Sequence, residues 1–143
     1  MIKPLYYYSV AFFLILYYIN ILNMSTSDKH NERIASMTFS SVFPCYVEKI
    51  EKKGKTSKDE LYKVIEWFTG FNNEDINKAI VQKWTFKELF DCAKLNDNSF
   101  LIKGSICGHK IEAIENSLTQ NVRRLDKIVD ELAKGEKIEK ILR

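Results

Sequence analysis

Histidine, cysteine, proline and glycine are all scarce. Two histidines, three cysteines, two prolines and five glycines occur in 143 residues, and each shortage removes a class of protein. Cys45, Cys92 and Cys107 are odd in number, widely spaced and without a Cys-x-x-Cys pair, which speaks against a closed disulfide framework and a zinc knuckle. Reduced thiols in a cytosol are the simplest reading. His30 lies in a polar stretch, so His30 and His109 supply too few nitrogen ligands for an ordinary transition-metal cluster, and no metal or cofactor is expected. Charge of one sign is also lacking. The 22 basic and 19 acidic residues leave a formal charge of +3, which is no polyanion-binding signature. What is present, 45% hydrophobic and 29% charged residues with little glycine or proline, fits one globular domain rather than a disordered chain.

Leu5 to Leu22 is an apolar run interrupted by Ser9 and Asn20, and as a helix its 18 residues reach about 27 Å, close to a hydrocarbon core. Three readings stay open for residues 1–23. The segment is a membrane anchor through 5–22, a signal peptide with Lys3 before it and Ser25 and Ser27 beyond it, or an extension outside the working protein, since Met24 and Met37 are both potential starts. Tyr6, Tyr7 and Tyr8 before the apolar centre and Tyr17 and Tyr18 after it suit either membrane reading. Residues 24–36 are polar, lack apolar periodicity and read as a linker.

Residues 37–143 read as a single mainly α domain, a small bundle of about five to seven short helices with one extended or hairpin-like segment near 99–109. Phe43, Val47 and Ile50 repeat at helical spacing in a first helix near 42–53, with Pro44 in its first turn and Gly54 as its cap. Ser57 and Glu60 form a capping-box pattern ahead of Leu61, Val64, Ile65 and Phe68, a stripe that stops before Gly70. Asn73 caps a short helix holding Ile76 and Ile80, and Thr85 with Glu88 opens another that buries Phe86, Leu89, Phe90 and Ala93. Phe100 to Gly108 is a hairpin or an irregular extended crossing with a turn at Lys-Gly-Ser, the irregular form being favoured. Ile111 and Ile114 begin a further helical turn. Leu118, Val122, Leu125, Ile128, Val129 and Leu132 then carry a helix to Gly135, and Ile138, Ile141 and Leu142 form a final short helix.

Several blocks in order characterise this region: Met-Thr-Phe-Ser-Ser-Val-Phe-Pro at 37–44, Lys-Lys-Gly-Lys-Thr at 52–56, Trp-Phe-Thr-Gly-Phe at 67–71, Gly-Ser-Ile-Cys-Gly at 104–108, Leu-Asp-Lys-Ile-Val-Asp-Glu-Leu-Ala-Lys-Gly at 125–135 and Glu-Lys-Ile-Leu-Arg at the end. Together they resemble the small, mostly bacterial proteins grouped as domain-of-unknown-function family 2200, over essentially all of 37–143. The resemblance implies no activity, ligand or cofactor. Proteins of that family usually begin near the position of Met37, so the first 36 residues depart from the pattern.

Candidate chemistry is thin. Cys107 beside Gly108 and His109 invites a thiol nucleophile, but adjacent residues on an extended chain point to opposite sides, and core packing is the expected role of Cys107. Asp126, Asp130 and Glu131 with Glu112 and Glu115 could pair as acids, yet Arg123, Arg124, Lys127 and Lys134 alternate with them, the pattern of a solvated ion-pair face. Lys49, Lys52, Lys53, Lys55 and Lys58 gather at a turn that could meet phosphates, diluted by Glu48, Glu51, Asp59 and Glu60. Trp67, Phe71 and Trp84 belong in the core, or form a patch for a partner where the core cannot absorb them. Leu118, Leu125 and Leu132 recur every seven residues, a spacing that serves a homodimer through 118–134 or an intramolecular bundle.

The expectation is a non-catalytic protein-interaction or regulatory module that folds in a reducing cytoplasm without residues 1–36. Its partner is another protein or a second copy, with a membrane engaged only through 5–22. The alternatives are a small enzyme using Cys107 in a pocket and a nucleic-acid binder through Lys52, Lys53 and Lys55. No catalytic residue is assigned.

Overall fold

An apolar run without glycine or proline favours helix, and α1 (Leu5–Asn23) takes that form. The computed structural model describes residues 5–54 and 56–143, without the side chains of residues 5–9 and 21. By its internal contacts the chain divides into two units, residues 1–32 and 33–143. Side chains of α1 from Val10 to Asn20 are exposed. Among the described residues no helix is long and apolar enough to cross a membrane, so the span expected over 5–22 has no support there. Lys3 and the side chains of Tyr6, Tyr7 and Tyr8, which that expectation also used, lie outside the described residues.

The expected linker over 24–36 is instead largely helix, α2 (Thr26–Ser36). Ser25 and Asp28 bond reciprocally, the Asp28 N–H donating to Ser25 Oγ at 3.0 Å and the Ser25 N–H to Asp28 Oδ2 at 3.3 Å, which satisfies two of the free donors of a helix start. Ile34 is buried in the core of the second unit. One apolar residue in a polar stretch makes no periodic signal, which is why the linker reading arose.

In the second unit α3 (Phe39–Glu51) buries Phe39, Phe43, Tyr46 and Ile50, one stripe at helical spacing. It begins before the expected residue 42 because its start is tied to a distant segment. The Phe39 N–H donates to the Trp84 carbonyl at 2.8 Å and the Phe86 N–H to the Met37 carbonyl at 2.9 Å. Pro44 lies inside the helix rather than in its first turn. The capping box of Ser57 and Glu60 opens α4 (Lys58–Thr69) as expected, and Gly70 closes it at φ 73°. The cap of α5 (Asn73–Val81) is Asn72 with Asp75, one residue earlier than the expected Asn73. Thr85 and Glu88 cap α6 (Phe86–Cys92). Phe71 is buried, and Trp67 and Trp84 pack half-buried against the core, so these aromatics take their expected core role.

A 3₁₀ turn at Ser99–Leu101 leads into a two-stranded antiparallel hairpin, β1 (Ser105–Ile106) and β2 (His109–Lys110), with Ser105 opposite Lys110 and Ile106 opposite His109. The hairpin replaces the favoured irregular crossing, and its turn falls at Cys107-Gly108 rather than at Lys-Gly-Ser. Cys107 and Gly108 both have positive φ, 50° and 77°, the type I′ signature that follows strand twist. Cysteine is not a residue that announces such a turn, hence the misplacement. After a second 3₁₀ turn at Ile111–Ala113 comes α7 (Ser117–Ala133), and α8 (Ile138–Ile141) folds back with Ile141 buried.

The longest helix of this unit, α7, is also its centre. It packs against α3, α4, α6, β1 and α8, and each residue from Leu118 to Ala133 is buried or half-buried. Leu125, Ile128 and Val129 are wholly enclosed, and Leu132 nearly so. Of the three leucines seven residues apart, Leu125 and Leu132 are taken up by the intramolecular core and Leu118 is half-buried.

Gly70 gives a stringent test of this packing. A Cβ there would stand 2.7 Å from the Lys94 carbonyl oxygen, on a backbone at φ +73°, whereas Gly54 at φ +62° has nothing within 4 Å. Gly70→Ala is expected to cost about 2 kcal/mol or more, with Gly54→Ala costing about 1 kcal/mol. Denaturant unfolding of the full chain measures both, and equal losses would contradict the packing of α4 against the segment after α6.

Candidate functional site

The acids and bases of α7 do not form the solvated face expected for them. Tyr46 of α3 donates its hydroxyl to Asp126 Oδ1 at 2.6 Å, and Arg123 reaches Asp126 Oδ2 at 3.4 Å. Asp130 lies between Lys49 of α3 at 2.9 Å and Lys134 at 2.8 Å, with its own side chain 14% exposed. Glu131 accepts from Arg143 at 2.5 Å. On another side of the helix Gln120 donates to the Ile111 carbonyl at 3.1 Å and Lys127 to the Ser105 carbonyl at 3.2 Å. The charges thus fasten α7 to its neighbours. The sequence misleads here because alternating signs on one helix satisfy the i, i+4 pattern whether the partners are local or come from another element.

Burial sets the titration of this network. Desolvation raises the Asp126 carboxyl above its ordinary range, outweighing the Tyr46 hydrogen bond and the Arg123 charge. Desolvation first, then the Asp126 charge and hydrogen bond, push the Tyr46 phenol well above its ordinary value. For Asp130 desolvation is also the largest influence, but the combined pull of Lys134 and Lys49 overcomes it and holds the carboxyl below the usual range.

A second feature is the outer face of the hairpin. Ile106 is buried while Ser105 and Lys110 are exposed and stand opposite one another, and Lys103 and Glu112 flank the two strands. The Gly104 N–H donates to Glu112 Oε1 at 3.0 Å. Backbone hydrogen bonds, its own and that of Gly104, lower the Glu112 carboxyl, and Lys110 and Lys103 lower it further. Gln120 and Lys127 bracket Arg124 on one side of α7, at i, i+4 and i+7. Arg124 donates to the Asn121 side chain at 3.0 Å. Among the described residues its buried Nε has no partner, and burial lowers its pKa. In the 3₁₀ turn just before the hairpin Phe100 and Leu101 are 57% and 41% exposed, beside a wholly buried Ile102.

The residues proposed from sequence fall elsewhere. Cys107 is exposed on the hairpin turn and not packed in the core, because the turn carries it outward. Lys52 and Lys53 are exposed after α3, and Lys55 lies outside the described residues. Lys49 is drawn into the pair with Asp130, and Lys58 stands 6.0 Å over the Phe43 ring, so the basic turn is reduced. Among the described residues no group of three His, Cys, Asp or Glu could hold a metal ion. Sequence reasoning missed Phe100, Leu101, Lys103 and Lys110. The available signal was the acid-free stretch from Asn98 to Ile111.

A model of the family described as an uncharacterized protein conserved in bacteria (DUF2200) matches residues 33–143. The chain belongs to this family. The matched span begins where the second structural unit begins, which puts the family domain at 33–143, four residues ahead of Met37. The solved structures include a similar chain, the crystal structure of the uncharacterized protein SP1917, at 32% identity with a TM-score of 0.72 over 84% of this chain and 93% of that one. No curated protein matches. The DUF2200 domain is thus described by fold and family, with no activity attached to either.

The two acids of α7 give opposite pH signatures. Asp130 is held below its unfolded value of about 3.9, so its stabilisation is present above about pH 4 and fades as pH falls through the folded value. Asp130→Asn should therefore cost more stability at pH 7 than at pH 3. Asp126 is raised, so its ionisation burdens the fold at neutral pH and acidification relieves it. Asp126→Asn should cost more at pH 3 than at pH 7. Denaturation midpoints of both variants at the two pH values provide the check, and slopes of the same sign would refute the assigned environments.

Proposed function

We propose that the DUF2200 domain of this chain is a non-catalytic protein-interaction module, and that its contact surface includes Phe100 and Leu101. The observation that carries this reading is the adjacent pair of exposed large apolar side chains on a turn held by buried Ser99 and Ile102. Isolated apolar residues on a surface need no explanation, but a fixed neighbouring pair offers a partner ready-made area to remove from water at about 25 cal/mol per Å². The polar groups of α7 support the same reading, because Asp126, Asp130 and Glu131 are engaged in pairs that hold elements together.

The proposal places the domain in a reducing compartment. Cys45, Cys92 and Cys107 are all free and exposed, and an odd number of exposed thiols invites intermolecular crosslinks in an oxidising one. A tether through residues 5–22 is not part of it.

Affinity capture of the full chain from its own cells, compared with the Phe100→Ser, Leu101→Ser double variant, tests the reading. Both substitutions lie at exposed positions, so thermal unfolding should shift little. The expected result is a protein recovered in near-equal amount with the wild type and depleted at least tenfold with the variant. An identical set of proteins from both would refute it.

A further inference from the structure

We propose that the outer face of the hairpin, with Phe100 and Leu101 in the turn just before it, binds a protein segment that combines acidic and apolar side chains. The inference rests on the interaction-module reading and adds the chemistry of the partner.

Electrostatics supplies the first half. Lys103 and Lys110 flank the hairpin that Lys127 holds at the Ser105 carbonyl, Arg124 lies one turn before Lys127 on α7, and none of the four makes an ion pair among the described residues. One acid of this segment, Glu112, accepts from the Gly104 N–H and shares its charge with Lys103 and Lys110. Like charges held close repel one another unless a counter-charge arrives. Other basic residues in the unit have that counter-charge built in, as Lys49 and Lys134 do with Asp130 and Arg143 with Glu131. At the hairpin Glu112 answers only part of the charge of Lys103 and Lys110, and the remainder is left to a partner. The turn at 52–58 differs, since Glu48, Glu51 and Asp59 stand in the same segments as Lys52, Lys53 and Lys58.

Geometry supplies the second half. Two residues per strand give a ledge only about 7 Å long, enough for two or three carboxylates. A protein held mainly by a nucleic-acid backbone commonly makes about 6–10 phosphate contacts, more than such a ledge offers. Leu101 beside Phe100 adds an aliphatic surface that a phosphate backbone has no use for. A segment with glutamates or aspartates over Lys103 and Lys110 and a large apolar side chain over Phe100 and Leu101 satisfies both parts.

Fluorescence anisotropy on the full chain tests this with three labelled probes: a peptide of two leucines flanked on each side by three glutamates, the same peptide with lysines for glutamates, and a twelve-nucleotide oligodeoxythymidylate. The glutamate peptide should bind best and should weaken as salt rises. It should bind about tenfold more weakly to the Lys103→Glu, Lys110→Glu variant and severalfold more weakly to Phe100→Ser, Leu101→Ser. Lys52→Glu, Lys53→Glu should leave it unchanged, and an unchanged melting temperature in each variant guards against unfolding. Undetectable binding of the glutamate peptide, tighter binding of the oligonucleotide or the lysine peptide, or loss that follows the Lys52 and Lys53 variant would each overturn the inference. A captured protein partner that still depends on Phe100 and Leu101 would then leave the interaction-module reading standing without the acidic chemistry.

Discussion

A helix that is polar along one side must either turn that side to water or find partners for it, and α7 finds partners. Tyr46 and Lys49 of α3 meet Asp126 and Asp130, one helical turn apart on each helix, so the two helices are fixed in register as well as in contact. Apolar packing alone would tolerate some sliding. A hydrogen bond from a buried phenol to a half-buried carboxylate is worth about 1.5–3 kcal/mol where its geometry is kept, and an orphaned partner costs a comparable amount. The rest of the unit is arranged around that fixed pair. α4 and α6 cover the apolar side of α7, and the hairpin and the C-terminal residues are held by Lys127 and Glu131.

Much of this was legible in the amino-acid order, for identifiable reasons. The capping boxes at Ser57 and Thr85 announce their helices because a side-chain oxygen three residues before a glutamate has few other uses there. The stripe from Leu118 to Leu132 gives α7 its length and its buried side. What stayed hidden depends on contacts between distant segments. α3 starts at Phe39 because Trp84 supplies an acceptor, α2 replaces a linker because Ile34 finds a core, and the charges on α7 are half-buried because α3 and the hairpin lie over them. None of these partners lies within a local window of sequence.

The candidate surface was less legible than the fold. A turn in the type I′ conformation normally declares itself through Asn-Gly or Asp-Gly, and Cys107 in that position concealed where the hairpin turns and so how Lys103 and Lys110 come to flank its strands. Phe100 and Leu101 were read only as part of an extended segment. In the structure Ile102 takes the buried position and leaves them outside. The basic turn at Lys52 and Lys53 stood out instead because its lysines are adjacent in sequence, whereas the hairpin brings its cations together across strands and from α7.

The account depends most on the register lock between α3 and α7, and a double-mutant cycle on Tyr46→Phe and Asp126→Ala measures it directly by denaturant unfolding at pH 7. The coupling energy between the two positions should exceed about 1 kcal/mol, the double variant losing clearly less than the sum of the single losses. Losses that add within about 0.5 kcal/mol would show that the pair contributes no mutual stabilisation, and would contradict the role given to the polar side of α7.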